Sequence, residues 1–94
     1  MRRCYVAGRI RSQRDYRERF AKAAERLRRE GWSVYNPAAA NLEGLPLARI
    51  MAHVLPQLCE CDAIAMLPGW WMRLGGAWIE YLLARYLGLQ RIYL

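Results

Sequence analysis

Glu80 is the residue in this chain whose surroundings ask for a chemical explanation. It lies in Gly76-Ala77-Trp78-Ile79-Glu80-Tyr81, one turn inside a segment that is otherwise almost entirely apolar. A carboxylate partly buried among Ile79 and Tyr81 is unfavourable unless a partner or a function sustains it. The plain alternative is a solvated or subunit-facing glutamate paired with an arginine. Tyr5, near the end of the first apolar run, is either a core residue or a hydroxyl that reaches Glu80. Glycines and arginines cluster in three other places: Gly8-Arg9-Ile10-Arg11-Ser12, Asn36-Pro37, and Pro68-Gly69-Trp70-Trp71-Met72-Arg73 with Gly75-Gly76 beyond it. Glycines allow backbone or ligand to approach closely, and Arg9, Arg11 and Arg73 can give charge-assisted bonds to a phosphate. Gly75-Gly76 serves equally well in an ordinary tight turn. Asp62 reads as a turn or cap residue, and His53, the sole histidine, has no companion for a ligand set.

The elements that must position these groups fit one domain spanning residues 1–94, since a chain of 94 residues has no room for two of ordinary size. With 55% hydrophobic and 24% charged residues the chain is expected to fold, and no apolar stretch approaches the length of a membrane span. The net charge is +7, and all but one of the 15 cationic side chains are arginines, which favours forked recognition of phosphate. Much of that charge alternates with acids, and no repeat of basic and aromatic residues suggests a stacking platform, so a nucleic-acid partner is not expected. Cys4, Cys59 and Cys61 are an odd set without zinc-site spacing; neither a disulfide framework, a metal nor a cofactor is implied. The apolar segment behind Arg2-Arg3 is too short for a secretory signal, and the expected location is cytoplasmic.

Apolar runs rich in strand formers occur at Cys4–Ala7, Trp32–Tyr35, Ala63–Leu67 and Arg91–Leu94. Between the first two, Ser12 and Asp15 mark a helix start, Tyr16, Phe20, Ala23, Ala24 and Leu27 share a face, and Gly31 is a stop. Asp15/Arg19, Glu18/Lys22 and Glu25/Arg29 place acid before base at i,i+4. Ala38–Gly44 reads as loop. Helical spacing returns through Leu47, Ile50, Met51, Val54, Leu55 and Leu58, with a break expected near Leu55 because Pro56 removes an amide donor. A third helix opens at Gly75-Gly76 and closes near Leu87 with Gly88 as its C-cap. Four strands alternating with helices imply right-handed crossovers: a small doubly wound, flavodoxin- or Rossmann-like α/β domain, with a four-stranded parallel sheet and helices on both faces. Ligands in such sheets bind beyond the carboxyl ends of the strands, where all the glycine and arginine loops fall.

The third helix carries two apolar stripes, Ile79/Leu83/Leu87 and Trp78/Tyr81/Leu82/Tyr86. One sheet cannot bury both. The Trp78/Tyr81/Leu82/Tyr86 face is therefore expected to meet another copy of the chain in a homo-oligomer.

Tyr5-Val6-Ala7-Gly8-Arg9-Ile10-Arg11, Arg26-Leu27-Arg28-Arg29-Glu30-Gly31, Cys61 to Trp70, and Gly76-Ala77-Trp78-Ile79-Glu80 together resemble the nucleoside 2-deoxyribosyltransferase-like superfamily, over nearly the whole chain. The resemblance extends to its branch of deoxynucleoside monophosphate N-glycosidases. It implies a glutamate that attacks the anomeric carbon of a deoxyribosyl group and passes the sugar to water or another base. Glu80 matches that nucleophile and Tyr5 the tyrosine that orients it. Gly8, Ile10 and Arg11 match the loop around base and phosphate, and Gly76 the glycine beside the sugar-phosphate. The chain departs at two positions. Val54 stands where family members carry an aspartate that contacts the sugar or assists the leaving base, and Leu74 where they carry Ser or Asp. His53 adjoins the first of these but lies about 100° away around a helix, so it substitutes only through a register shift or the break at Pro56. Two functions follow: an N-glycosidic hydrolase or transferase acting on nucleoside 5'-monophosphates, or a nucleotide-binding module of the same fold without the chemistry.

Overall fold

A computed structural model describes residues 2–9, 15–39, 42, 44–72 and 75–94. Its elements are β1 (Arg3–Ala7), α1 (Tyr16–Arg29), β2 (Ser33–Tyr35), α2 (Leu47–Cys59), β3 (Ala63–Met66), α3 (Gly76–Leu87) and β4 (Gln90–Tyr93), with 3-10 turns at Pro37–Ala39 and Trp70–Met72. The strands lie in the order β2-β1-β3-β4, every neighbouring pair parallel. The chain is thus a small doubly wound α/β protein with a four-stranded parallel sheet.

Alternation along β1 and β3 builds a core on each face of the sheet. Cys4, Val6, Ala63, Ala65 and Leu67 meet Phe20, Ala23 and Leu27 of α1 on one side. Tyr5, Ala7, Ile64 and Met66 meet Met51, Val54 and Leu58 of α2 and Ala77 and Ala84 of α3 on the other. Because the crossovers from β1 and β3 leave toward opposite sides, their carboxyl ends form the topological switch point.

The face expected for α1 is the buried one, with Tyr16 half-buried against Phe20. Glu18–Lys22 and Glu25–Arg29 pair as expected, and Arg26–Glu30 adds a pair of the reverse order at 3.7 Å. The proposed start at Ser12 lies outside the described residues. Strand ends shift by a residue: β1 and β4 begin one residue earlier, where Arg3 N–H donates to the Asp62 carboxylate (2.9 Å) and Gln90 N–H to the Asp62 carbonyl (3.2 Å), while β2 begins one residue later and β3 and β4 end one residue sooner.

Three expectations are corrected. First, α2 runs unbroken through Pro56. Both Pro56 and Ala52, whose carbonyl loses its helical donor, are exposed, so that oxygen is open to water and its lost bond does not have to end the helix. Second, the loop after β2 includes the turn Pro37–Ala39, held by the Asn36 carboxamide oxygen accepting from Ala38 N–H at 3.0 Å. Third, neither apolar stripe of α3 is the face turned to the sheet. Ala77, Glu80 and Ala84, at i, i+3 and i+7, are its buried residues. Two alanines on that face let the helix lie close to β1 and β3, while Ile79, Leu82, Tyr86 and Leu87 stay exposed. Trp78 and Tyr81 lie half-buried against Trp70, at ring-centroid distances of 4.7 and 4.5 Å. Among the described residues, no helix is long and apolar enough to cross a membrane.

Candidate functional site

Glu80 enters the interior because the short side chains of Ala77 and Ala84 flank it on the inner face of α3. Only 6% of it is exposed, and the Tyr5 hydroxyl donates a hydrogen bond to its carboxyl group. Tyr5 is fully buried in the middle of β1, on the face that α3 covers. The solvated alternative for Glu80 does not hold, and among the described residues its hydrogen-bond partner is Tyr5 rather than an arginine.

Burial disfavours the charged carboxylate and pushes the Glu80 pKa up from 4.5 to about 8, against the smaller lowering influence of the Tyr5 hydrogen bond. Near neutral pH the carboxyl is therefore mostly protonated. It can give a proton, or it can lose one to become a nucleophile once a positively polarised group sits beside it. Tyr5 is pushed far above its ordinary range by burial first and then by Glu80, so it stays a hydrogen-bond donor.

At the switch point, the chain leaving β1 presses on the chain leaving β3. A β-carbon on Gly8 would lie 2.8–2.9 Å from Cδ1 and Cβ of Leu67, so the two loops are in contact only because residue 8 has no side chain. Leu67 N–H donates to the Ala7 carbonyl at 2.8 Å and seals this approach. Arg9 follows, half-buried. Among the described residues its Nε is buried without a hydrogen-bond partner, and Nη1 donates to Met72 Sδ at 3.8 Å.

The remaining candidates divide. Gly69 takes a left-handed conformation (φ +81°), and the Pro68 carbonyl accepts from Arg19 at 3.1 Å. Trp70 is a core residue between Trp78 and Tyr81. Gly76 faces α2: a β-carbon there would lie 2.9 Å from Met51 Cε, the movable end of a flexible side chain, so helix packing alone does not demand glycine. Gly75 is half-buried just before α3, with open space around its α-carbon. Asn36 spends its carboxamide oxygen on its own turn. Ile10, Arg11, Arg73 and Leu74 lie outside the described residues. Val54 is buried in the core and His53 is exposed on the same unbroken helix, so His53 does not take the place of the missing aspartate. Asp62 binds backbone at the amino-terminal end of the sheet, as expected of a cap.

Sequence reasoning missed Tyr35. Its ring stacks on Tyr5 at a centroid distance of 5.5 Å and 19° between planes. The signal was available: parallel pairing of Cys4–Tyr5 with Val34–Tyr35 puts both tyrosines on one face. A separate hollow of about 310 Å³ lies on the α1 side, lined by Arg19, Lys22, Arg26, Leu67 and Pro68 among others. Its cations are engaged, Arg19 with the Pro68 carbonyl, Lys22 with Glu18 and Arg26 with Glu30.

The fold and the buried pair define a doubly wound α/β protein with a carboxyl on α3 held by a tyrosine of its central strand β1. The chain belongs to the family described as domain of unknown function DUF4406, whose model matches residues 2–93. No curated protein matches it.

Proposed function

We propose that the protein cleaves, or transfers across, the N-glycosidic bond of a nucleoside 5'-monophosphate, with Glu80 as nucleophile and Tyr5 as the group that orients it. The observation that carries this reading is the buried Tyr5–Glu80 hydrogen bond on the inner face of α3. A glutamate there matches the nucleophile of the nucleoside 2-deoxyribosyltransferase-like superfamily that the sequence resembles. In the first step Glu80, its proton released to water, bonds through a carboxylate oxygen to the anomeric carbon as the carbon–nitrogen bond breaks, its electron pair leaving with the base. In the second, water or another base attacks that carbon and frees Glu80. The sugar is cation-like on the way, which favours the ionised carboxylate when it is needed. Arg9 supplies the phosphate contact, since among the described residues its buried Nε lacks a partner, which an anionic oxygen would provide.

Val54, where the resemblance puts an aspartate, leaves the departing base to take its proton from water. General acid assistance is typically worth about 10²- to 10⁴-fold, so turnover is expected to be slow. Valine at this buried position also favours a second reading, a module that binds a nucleotide and leaves it intact. Incubation with each deoxynucleoside monophosphate, followed by chromatography of the free base, separates the two. Base release abolished by Glu80→Ala supports the enzyme. Release unaffected by Glu80→Ala removes Glu80 from the mechanism. Calorimetric binding with ligand recovered intact supports the module, and no affinity for any nucleotide defeats both. A homo-oligomer through α3 is part of the proposal; Leu82 and Tyr86, with Ile79 and Leu87 beside them, form its exposed apolar portion.

A further inference from the structure

We propose that Tyr35 is a positioning residue that holds the Tyr5 ring against Glu80. Its functional meaning rests on the reading of Glu80 as the reactive carboxyl. A tyrosine hydroxyl reaches its partner only if both side-chain torsions are held, and in a strand that restraint comes from same-face neighbours on adjoining strands. Tyr5 has two such neighbours in register, Ile64 on β3 and Tyr35 on β2. Ile64 is fully buried and contributes apolar packing alone. Tyr35 supplies a flat ring nearly parallel to that of Tyr5, the contact that resists tilting of the phenol.

Its location separates this role from ordinary core packing. β2 is a three-residue edge strand, and Tyr35 is only half-buried there. Tyr35 packs at the margin of this core, where its ring forms the outer wall of the Tyr5 side chain. Tyr35 also feels Glu80: burial first, then the Glu80 charge, then Cys61 push its hydroxyl up. The titratable groups acting on Tyr5 are thus Glu80 from α3, Tyr35 from β2 and Cys61 from the approach to β3.

The experiment is an NMR titration of the Glu80 carboxyl carbon in glutamate-labelled protein, assigned with Glu80→Gln and run on wild type, Tyr35→Leu, Tyr35→Phe, Tyr5→Phe and the Tyr5→Phe, Tyr35→Leu double variant. The Tyr5 bond lowers the Glu80 midpoint, so its loss in Tyr5→Phe moves the midpoint up. If Tyr35 acts through Tyr5, Tyr35→Leu also moves it up, toward the Tyr5→Phe value, and adds nothing in the Tyr5→Phe background. Tyr35→Phe, which keeps the ring, titrates as wild type. An unchanged midpoint in Tyr35→Leu, a downward move from admitted water, an equal shift in both backgrounds, or a Tyr35→Phe variant that behaves like Tyr35→Leu overturns the proposal. Tyr35→Met, similar in bulk but not planar, carries the same comparison if Tyr35→Leu does not fold. The titration needs no substrate. A protein that releases no base but shows the linked shifts fails as a glycosidase, whereas one that releases base without the linkage refutes the role of Tyr35.

Discussion

Tyr5 on β1 and Glu80 on α3, 75 residues apart in the chain, meet through a buried hydrogen bond in which the phenol donates and the carboxyl accepts. The bond joins the first strand to the last helix. It requires α3 to lie against the sheet through alanines, because a larger residue at position 77 or 84 would hold the carboxyl away from Tyr5.

Stability should therefore fall with rising pH in a window set by Glu80. The unfolded chain releases this proton near pH 4.5, whereas the folded protein keeps it until about pH 8. Between those values the native state binds more protons than the unfolded state, so the free energy of unfolding decreases as pH rises and levels off above the folded value. Thermal unfolding of wild type and Glu80→Gln from pH 5 to about 9 checks the sign. The difference between their melting temperatures should move against wild type as pH increases, and a constant difference refutes it.

Tyr5→Phe removes a donor from a buried acceptor. Leaving such a group unsatisfied costs about 1–3 kcal/mol, and urea unfolding at pH 6 should report a loss in that range. If the protein has glycosidase activity, its rise with pH should move to higher pH in this variant, because the bond that favoured the ionised carboxyl is gone. An unmoved profile would show that Tyr5 does not govern Glu80 ionisation.

Arg9→Gln should separate nucleotides from nucleosides. A hydrogen bond to a charged group is worth about 1.5–3 kcal/mol, so affinity for a nucleoside monophosphate should drop roughly 10- to 100-fold while that for the nucleoside is unchanged. Calorimetry with the matched pair of ligands measures this. Because among the described residues Nε has no partner and Nη1 makes only a long bond to Met72 Sδ, the melting temperature without ligand should change little.

Tyr86, 87% exposed on α3, tests the oligomer. The Leu82→Glu, Tyr86→Glu double variant places charge on the apolar face and should convert an oligomer to monomer in light scattering after size exclusion, with the fold retained by circular dichroism. A wild-type protein that is monomeric at high concentration ends that proposal.

Much of this arrangement was legible in the residues. Cys4–Ala7 and Ala63–Leu67 are continuous apolar runs because both faces of the central strands are covered, and the face of α1 followed from the spacing of Phe20, Ala23 and Leu27. A lone acid inside an apolar helix singled out Glu80, while Tyr5 stood open between a core residue and a partner of Glu80 until the fold brought the two together. The orientation of α3 was not, since hydrophobicity favoured Ile79, Leu82 and Tyr86 over two alanines, and only packing distance decides for the smaller residues. Pro56 misled because the effect of proline depends on whether the orphaned carbonyl faces water. Tyr35 was overlooked because register across strands is a property of the pair rather than of either segment.

The last strand leaves one side of the sheet open. β4 has only four residues, with Gln90, Arg91 and Tyr93 exposed. Strands of this kind invite a neighbouring molecule to continue the ladder, and a short length with a charge near the middle is the usual deterrent to runaway fibre-like growth. Arg91 is exposed near the middle of this edge, where a charge opposes such pairing, and Arg91→Val is expected to raise the light scattering of the protein on storage.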